Sequence, residues 1–125
     1  MASPSKARRI TAWVLTTLIT LLFIMSAVFK FLRPPEVMIP VEKWNLTRYL
    51  TIIGIGELVS ALLFFIPKTH SLGVLLLSAY MGGAIVTHMQ NDEPYITQSI
   101  MLVVIWIIAY LRDPAVLNSF RKKEA

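Results

Sequence analysis

Four apolar stretches divide the chain, and each is close to the length that crosses a lipid bilayer. They cover residues 10–30, 49–66, 71–89 and 96–111. The hydrocarbon core is about 30 Å thick, so a helix needs roughly 17–25 residues to span it. The first three stretches meet this length, and the fourth reaches the lower limit when Tyr95 is included as an interfacial anchor. A backbone in lipid must satisfy its own hydrogen bonds, and no stretch alternates like a barrel strand, so the pattern predicts four transmembrane helices.

The composition agrees with a membrane domain rather than a soluble one. Of the 125 residues, 56% are hydrophobic and 15% are charged, and the mean hydropathy is +0.67. An average soluble domain is about 45–50% apolar and about 25% charged. A soluble chain of this length would have to hide most of its residues in a small core. We therefore interpret residues 1–125 as one all-α domain, an integral membrane bundle of four transmembrane helices.

The connections between the stretches predict the orientation of this bundle. Residues 67–70 and 91–94 are tight turns, so consecutive spans run antiparallel. Lysine and arginine concentrate on the cytoplasmic side of membrane proteins. With both termini cytoplasmic, eight basic residues lie inside and four outside, and we therefore expect this arrangement. The inner set is Lys6, Arg8, Arg9, Lys68, Arg112, Arg121, Lys122 and Lys123, and the outer set is Lys30, Arg33, Lys43 and Arg48.

Charge and residue inventory exclude several classes of function. The net charge of +5 comes from basic residues at the ends of apolar runs, where they meet anionic headgroups, so we expect no nucleic-acid partner. The chain has no cysteine, which excludes disulfides, thiolate metal sites and thiol redox catalysis by this chain alone. His70 and His88 fall at opposite ends of one span, so no metal site is predicted.

The first connection, residues 31–48, is the only long one. It contains Pro34, Pro35 and Pro40 together with an apolar tract and Trp44. That composition suits a lid that lies on the membrane surface, and it suits a stiff spacer equally well.

Glu57 is the most informative residue, because it lies near the middle of the second stretch. A charged side chain at mid-bilayer costs on the order of 3 kcal/mol, so such groups face the bundle interior, pair with a partner or take up a proton. Gly54, Ser60 and Ala61 share its helix face and would let another helix approach closely. The same role in close packing is expected for Gly56 and for the Gly82–Gly83 pair. The alternative for Glu57 is a structural carboxyl bonded to a neighbouring helix.

Other polar side chains gather at the same end of the predicted bundle. Lys30, His88 and Gln98 all lie at the outer ends of their spans, and together with Glu57 they predict a pocket that opens toward the outer leaflet. Singly, Lys30 would be a snorkelling lysine and His88 an interfacial residue. Glu57 is expected about 13 Å below the outer end of its span, whereas a lysine reaches about 6 Å. A direct Lys30–Glu57 pair therefore requires shifted spans, and otherwise a water or a ligand headgroup bridges the two groups.

Three short motifs occur around these spans in a consistent order. They are residues 21–31 with Lys30, then Gly56-Glu57-Leu58 followed by Pro67-Lys68-Thr69, and then residues 80–88 ending in Thr87-His88. In these motifs the chain resembles the DoxX-like family of small four-span membrane proteins. The resemblance implies a four-helix bundle in the bacterial cytoplasmic membrane, or in the endoplasmic reticulum membrane of a eukaryote, with Lys30, Glu57 and His88 as the polar positions.

The resemblance leaves more than one function open. The family takes its name from a subunit associated with thiosulfate:quinone oxidoreduction, other relatives are tied to oxidative-stress complexes, and distant eukaryotic relatives act as receptor-assembly chaperones. The first hypothesis is a non-catalytic subunit or accessory of a membrane redox or stress system. It would bind a quinone-like or other apolar lipid, with no covalent cofactor. Glu57 would anchor the ligand, and Lys30, His88 and Gln98 would contact its polar head.

Two further hypotheses use Glu57 differently. In a small membrane enzyme of the isomerase or epoxide-opening cyclase type, Glu57 would be the acid and His88 the base or proton relay. In a membrane assembly chaperone, Glu57 would pair with a helix of a membrane protein partner or of a second copy in a homo-oligomer.

Overall fold

A computed structural model of the chain describes residues 5–120 and contains five α-helices. They are α1 (Lys6–Leu32), α2 (Pro35–Lys43), α3 (Leu50–Phe65), α4 (His70–Gln90) and α5 (Ile96–Arg112). Short 3₁₀ segments occupy Thr47–Tyr49, Pro67–Thr69 and Pro114–Phe120, and the described residues include no strand. The prediction of an all-α fold is confirmed.

The four long helices form an antiparallel bundle, in which α1 packs on α3, α3 on α4, α4 on α5, and α5 returns to α1. Helix α2 lies at the end where α1 and α4 finish, which we name the α2 end. The opposite end holds the first turns of α1 and the end of α5, and we name it the terminal end. Apolar side chains fill the space between the helices; the buried core includes Ile19, Phe23, Ala61, Phe64, Val74, Leu77, Ile105 and Ile108.

The outer surface of the bundle is apolar as well. Three helical stretches are long and apolar enough to cross a membrane, namely Lys6–Leu32, Thr47–Phe65 and Pro67–Gln90, whereas Ile96–Arg112 is apolar but has only 17 residues. Large apolar side chains on all four long helices are more than half exposed, among them Leu21, Ile52, Leu75 and Val103. A soluble protein rarely exposes this much contiguous apolar surface. The helix bounds follow the predicted stretches closely, and the molecule is a membrane protein.

Side chains at the terminal end satisfy backbone groups that helix ends leave unpaired. Arg8 donates from Nε to the Leu111 carbonyl and from Nη2 to the Tyr110 carbonyl, at 3.2 and 3.0 Å. Arg112 donates to the carbonyls of Phe64 and Phe65, at 2.8 and 3.1 Å. The last carbonyls of a helix have no partner within it, so cationic donors stabilise them. Arg8 therefore ties α1 to the end of α5, and Arg112 ties α5 to the end of α3.

The predicted role of the glycines in close packing is confirmed only in part. A β-carbon on Gly54 would meet Phe31 and Lys30 of α1, as expected for close packing. Gly73, which the sequence did not single out, approaches α3 even more closely, since its β-carbon would collide with the backbone nitrogen of Phe64. The prediction is wrong for Gly56, Gly82 and Gly83, whose β-carbons would meet nothing within 4 Å among the described residues. A glycine permits close approach, but helix rotation decides whether it faces a neighbour.

The long first connection folds into a helix. Pro34 is extended, and Pro35 occupies the first turn of α2, where a missing N–H removes no hydrogen bond. Val41 on α2 is buried. Asn45 then reverses the chain with a left-handed φ of 60°, a conformation that asparagine tolerates. Of the two predicted interpretations, the lid agrees with this structure and the spacer does not, because α2 packs against the bundle.

A candidate ligand-binding cavity

A cavity of about 610 Å³ opens at the α2 end, and we name it the α2-end cavity. Its volume lies within the roughly 300–1,000 Å³ that is typical of small-molecule pockets. All four side chains predicted as a site line this one cavity: Lys30, Glu57, His88 and Gln98. Most of the remaining wall is apolar, including Leu22, Phe23, Val41, Leu46, Leu50, Ile53, Met81, Ala84 and Met101.

Lys30 and Glu57 form a direct ion pair between α1 and α3. Nζ of Lys30 lies 2.8 Å from Oε1 of Glu57 and donates a second bond to Oγ of Ser26, also at 2.8 Å. Glu57 is only 1% exposed, so the prediction that it faces the bundle interior is confirmed. A buried charge is tolerated when an opposite charge and further hydrogen bonds satisfy it.

The direct pair corrects the estimated depth of these residues. The axial distance predicted between Lys30 and Glu57 allowed a direct contact only if the two spans were shifted along their axes. The structure shows such a shift. α1 continues to Leu32, and Lys30 lies in its last turn. Phe31 packs against Gly54, three residues before Glu57, and this contact sets the axial position of α1 against α3. Of the two predicted alternatives, the structure shows the direct pair, because Nζ reaches the carboxylate itself and needs no bridging group.

Tyr80 extends this polar cluster, although the sequence did not single it out. The Lys30 ammonium lies 5.7 Å from the centre of the Tyr80 ring, and the Phe23 ring packs edge-on against that ring at 6.1 Å. The Tyr80 hydroxyl lies near Glu57 and Ser26. The available signal was spacing, because Tyr80 precedes His88 by eight residues and therefore shares its helix face.

A second polar cluster joins α4 to α5. Nδ1 of His88 lies 2.8 Å from the Ala84 carbonyl, and a carbonyl only accepts, so Nδ1 carries the proton. In the neutral ring Nε2 is then an acceptor, and the Gln98 amide nitrogen donates to it at 3.3 Å. The Gln98 Oε1 is buried and has no partner within residues 5–120. This orphaned oxygen is an acceptor for a hydroxyl or N–H group.

Trp44 closes the α2 side of the cavity and was also missed as a site residue. Its ring centre lies 5.1 Å from that of His88, and its Nε1 donates to Oε1 of Glu93 at 2.9 Å. Lys43 donates to Oε2 of Glu93 at 3.0 Å and to the Asn91 carbonyl at 3.3 Å. The hydrogen bond from Lys43 lowers the pKa of Glu93 below its usual value. Glu93 thus links the end of α2 to the turn between α4 and α5 through these hydrogen bonds.

These groups define what the α2-end cavity can do chemically. The first cluster offers an ammonium and a phenol as donors, and the second offers an amide oxygen as an acceptor. Within the described residues no three His, Asp or Glu side chains come together as a metal site. The arrangement suits an apolar molecule with a polar head. The catalytic roles of Glu57 and His88 stay predictions.

Comparison with known proteins adds one finding. The model of the DoxX-like family matches residues 14–111, from α1 into the last turn of α5, and so includes all four predicted site residues. No curated protein and no solved structure matches the chain.

Proposed function

The chain belongs to the DoxX-like family, and we propose that it binds a quinone-like or other apolar lipid in the α2-end cavity. It would do so as a non-catalytic subunit or accessory of a membrane redox or stress system. The observation that carries the proposal is the largely apolar chamber of about 610 Å³ with polar groups in two separate clusters. Such chambers bind apolar molecules, and a few placed polar groups fix their orientation.

The two clusters support a quinone-like head in particular. A quinone ring has carbonyl oxygens on opposite edges and therefore needs partners at two places. Lys30 and Tyr80 offer donors at one place, and the His88–Gln98 pair offers a reorientable amide at the other. The apolar lining from α1, α2 and α3 would contact the hydrocarbon tail. A ring hydroxyl of the reduced form would find an acceptor in the Gln98 Oε1.

The proposed topology is four membrane crossings with both termini cytoplasmic. Lys30 turns into the bundle and pairs with Glu57, so it does not act as a loop charge. The α2 end then retains Arg33, Lys43 and Arg48, against the basic residues of the terminal end and the C-terminal segment. The bundle would lie in the bacterial cytoplasmic membrane, or in the endoplasmic reticulum membrane of a eukaryotic host, with the α2-end cavity on the outer side.

The other two hypotheses receive less support. An isomerase or epoxide-opening cyclase needs Glu57 as a proton donor, and here its carboxylate accepts from Lys30. An assembly chaperone would need Glu57 to reach a partner's helix, and this side chain is buried inside the chain's own bundle. Neither arrangement favours these functions over ligand binding.

Native mass spectrometry of the protein released from its own membranes tests the proposal. We expect the wild type to carry a small apolar molecule and the Glu57→Gln variant to lose most of it. Glu42→Gln is the matched control, because Glu42 lies exposed on α2 and does not line the cavity. Equal retention by both variants would argue against the cavity as the binding site. A bare wild-type chain, or one bound only to another protein, would favour the assembly role instead.

A further inference from the structure

A second cavity, of about 270 Å³, lies at the terminal end of the bundle. We name it the terminal-end cavity. The first turns of α1, the start of α4 and the end of α5 enclose it. Its polar lining is formed by Arg9, His70, Ser71, Arg112 and Asp113. None of these residues takes part in the α2-end cavity, so the inference holds whichever molecule that cavity binds.

His70 points to a ligand in this cavity. It is 6% exposed, and its Nδ1 lies 2.7 Å from the Phe64 carbonyl, so Nδ1 carries a proton that it donates. Its Nε2 is buried and has no partner in the described part of the chain. The ring is held in place, because it packs against the Phe64 ring at 4.9 Å and Gly73 brings α4 close to the same residue. A buried ring nitrogen without a partner is unfavourable, and a ligand in the cavity would supply one.

The charges around the cavity favour an anion. Arg112 donates to the carbonyls of Phe64 and Phe65, and its guanidinium lies 4.3 Å from the Trp13 ring centre, so it is a fixed positive charge. Arg9 adds a second positive charge to the lining. Asp113 is the opposing charge, and its Oδ1 accepts from the Ala115 N–H at 3.1 Å. Two cations against one carboxylate leave an excess of one positive charge, which matches an anion with a single negative charge.

We propose that the terminal-end cavity binds a phosphate ester with a single negative charge, supplied by the headgroup of an anionic phospholipid. Arg9 and the Ser71 hydroxyl would donate to its oxygens, and Nε2 of His70, which is an acceptor in the neutral ring, would accept from a hydroxyl of the headgroup. The source is lipid rather than a soluble phosphate because Trp13, Pro67 and Leu111 form an apolar part of the same wall. Tryptophan and arginine are also typical of the membrane interface.

The first test is lipid binding by the full chain in mild detergent, measured by native mass spectrometry. The probes are dioleoylphosphatidylglycerol, dioleoylphosphatidylcholine and inorganic phosphate. We expect phosphatidylglycerol to bind in preference to phosphatidylcholine, and Arg9→Gln to weaken it about tenfold, as the loss of a charge-assisted hydrogen bond implies. Lys68→Gln is the matched control, because it removes the same charge from the same end outside the cavity lining, and we expect a change of about twofold or less.

The ¹⁵N resonance of His70 Nε2 gives a second measurement that needs no substitution. We expect it to shift when phosphatidylglycerol is added and to stay unchanged with phosphatidylcholine. If inorganic phosphate binds with the same loss in Arg9→Gln and causes the same shift of the His70 resonance, the cavity is a phosphate site. The proposal that a lipid supplies the phosphate would then be wrong. Equal binding of the two lipids, equal effects of Arg9→Gln and Lys68→Gln, or an unchanged His70 resonance with every probe would overturn the site itself.

Discussion

The ring of Phe31 occupies the space that a side chain at position 54 would need. A β-carbon on Gly54 would stand 2.9 Å from Cε1 of Phe31 and 3.4 Å from Cβ of Lys30. The contact lies three residues before Glu57, so it sets the height at which Lys30 meets the carboxylate. Close packing of α1 on α3 therefore brings Lys30 and Glu57 to the same depth in the bundle. The ion pair then satisfies the two charged groups that this packing buries.

The glycines predict a graded response to alanine. Gly73→Ala should lower the free energy of unfolding by about 1–3 kcal/mol, since the new methyl group meets the Phe64 backbone, which cannot yield. Gly54→Ala should lower it less, because the Phe31 ring can turn aside. Gly82→Ala, which meets nothing, should be neutral or stabilising by up to about 1 kcal/mol. Thermal unfolding in detergent, followed by circular dichroism, measures all three. Equal losses for Gly73→Ala and Gly82→Ala would contradict the packing.

The Lys30–Glu57 pair predicts strong coupling between two substitutions. Lys30→Met or Glu57→Gln alone leaves one buried partner unsatisfied and should cost about 3–5 kcal/mol of stability. The double variant should lose less than the sum, by at least about 1 kcal/mol. Equilibrium unfolding of the four proteins measures this coupling. The control cycle uses Lys68→Met and Glu42→Gln, which lie at opposite ends and should be additive; additivity of Lys30 and Glu57 as well would show that the pair is unimportant.

The neighbouring glycines of α4 offer a matched test of the α2-end cavity. Gly83 lines the cavity and Gly82 does not, and a β-carbon at either position meets open space. Gly83→Leu should fill part of the chamber and deplete the bound molecule without loss of stability, whereas Gly82→Leu should retain it. Native mass spectrometry of the two variants measures the difference. If both retain the ligand equally, the molecule binds elsewhere.

Glu93 predicts acid-dependent opening of α2. The hydrogen bond from Lys43 holds the pKa of Glu93 below its usual 4.5. Above pH 4.5 the carboxylate therefore makes its full contribution to holding α2 against the turn between α4 and α5. The contribution is lost as the pH falls through the lowered pKa, where protonation weakens the contacts to Lys43 and Trp44. Hydrogen exchange of the α2 amides should therefore accelerate in acid relative to α4. Glu93→Gln should exchange fast at neutral pH already and lose this acid step; a step that persists in the variant would assign it to Glu36, Glu42 or Asp92.

The sequence predicted the long helices well because their signal is local. Hydropathy located the four stretches, and the turns at residues 67–70 and 91–94 ended them within a few residues of the observed bounds. Helix α2 was missed as a helix, because its two prolines and Pro34 just before it suggested irregular structure. Pro35 is compatible with a first turn, and whether a nine-residue helix persists there depends on the bundle that Val41 packs against.

The sequence predicted which residues form the site but not the distances between them. Lys30, Glu57, His88 and Gln98 could be grouped because charged or amide side chains are rare in apolar stretches. Their distances could not be predicted, since the axial position of α1 on α3 follows from the Phe31–Gly54 contact. Tyr80 and Trp44 were missed because an aromatic side chain in a membrane protein is ordinarily apolar filling, and only the fold turns these two toward the polar groups.

The ion pair also bears on how the chain is made. Its two members lie 27 residues apart in sequence, on different helices. In the proposed topology α3 alone would carry an unmatched carboxylate into the bilayer, at a cost on the order of 3 kcal/mol. α1 is synthesised before α3, so Lys30 is already in place when Glu57 leaves the translocon. We expect α3 to insert poorly when expressed without α1, which an insertion assay on the two fragments can measure. Biogenesis would then depend on the order of synthesis, with the first helix serving as the docking partner of the third.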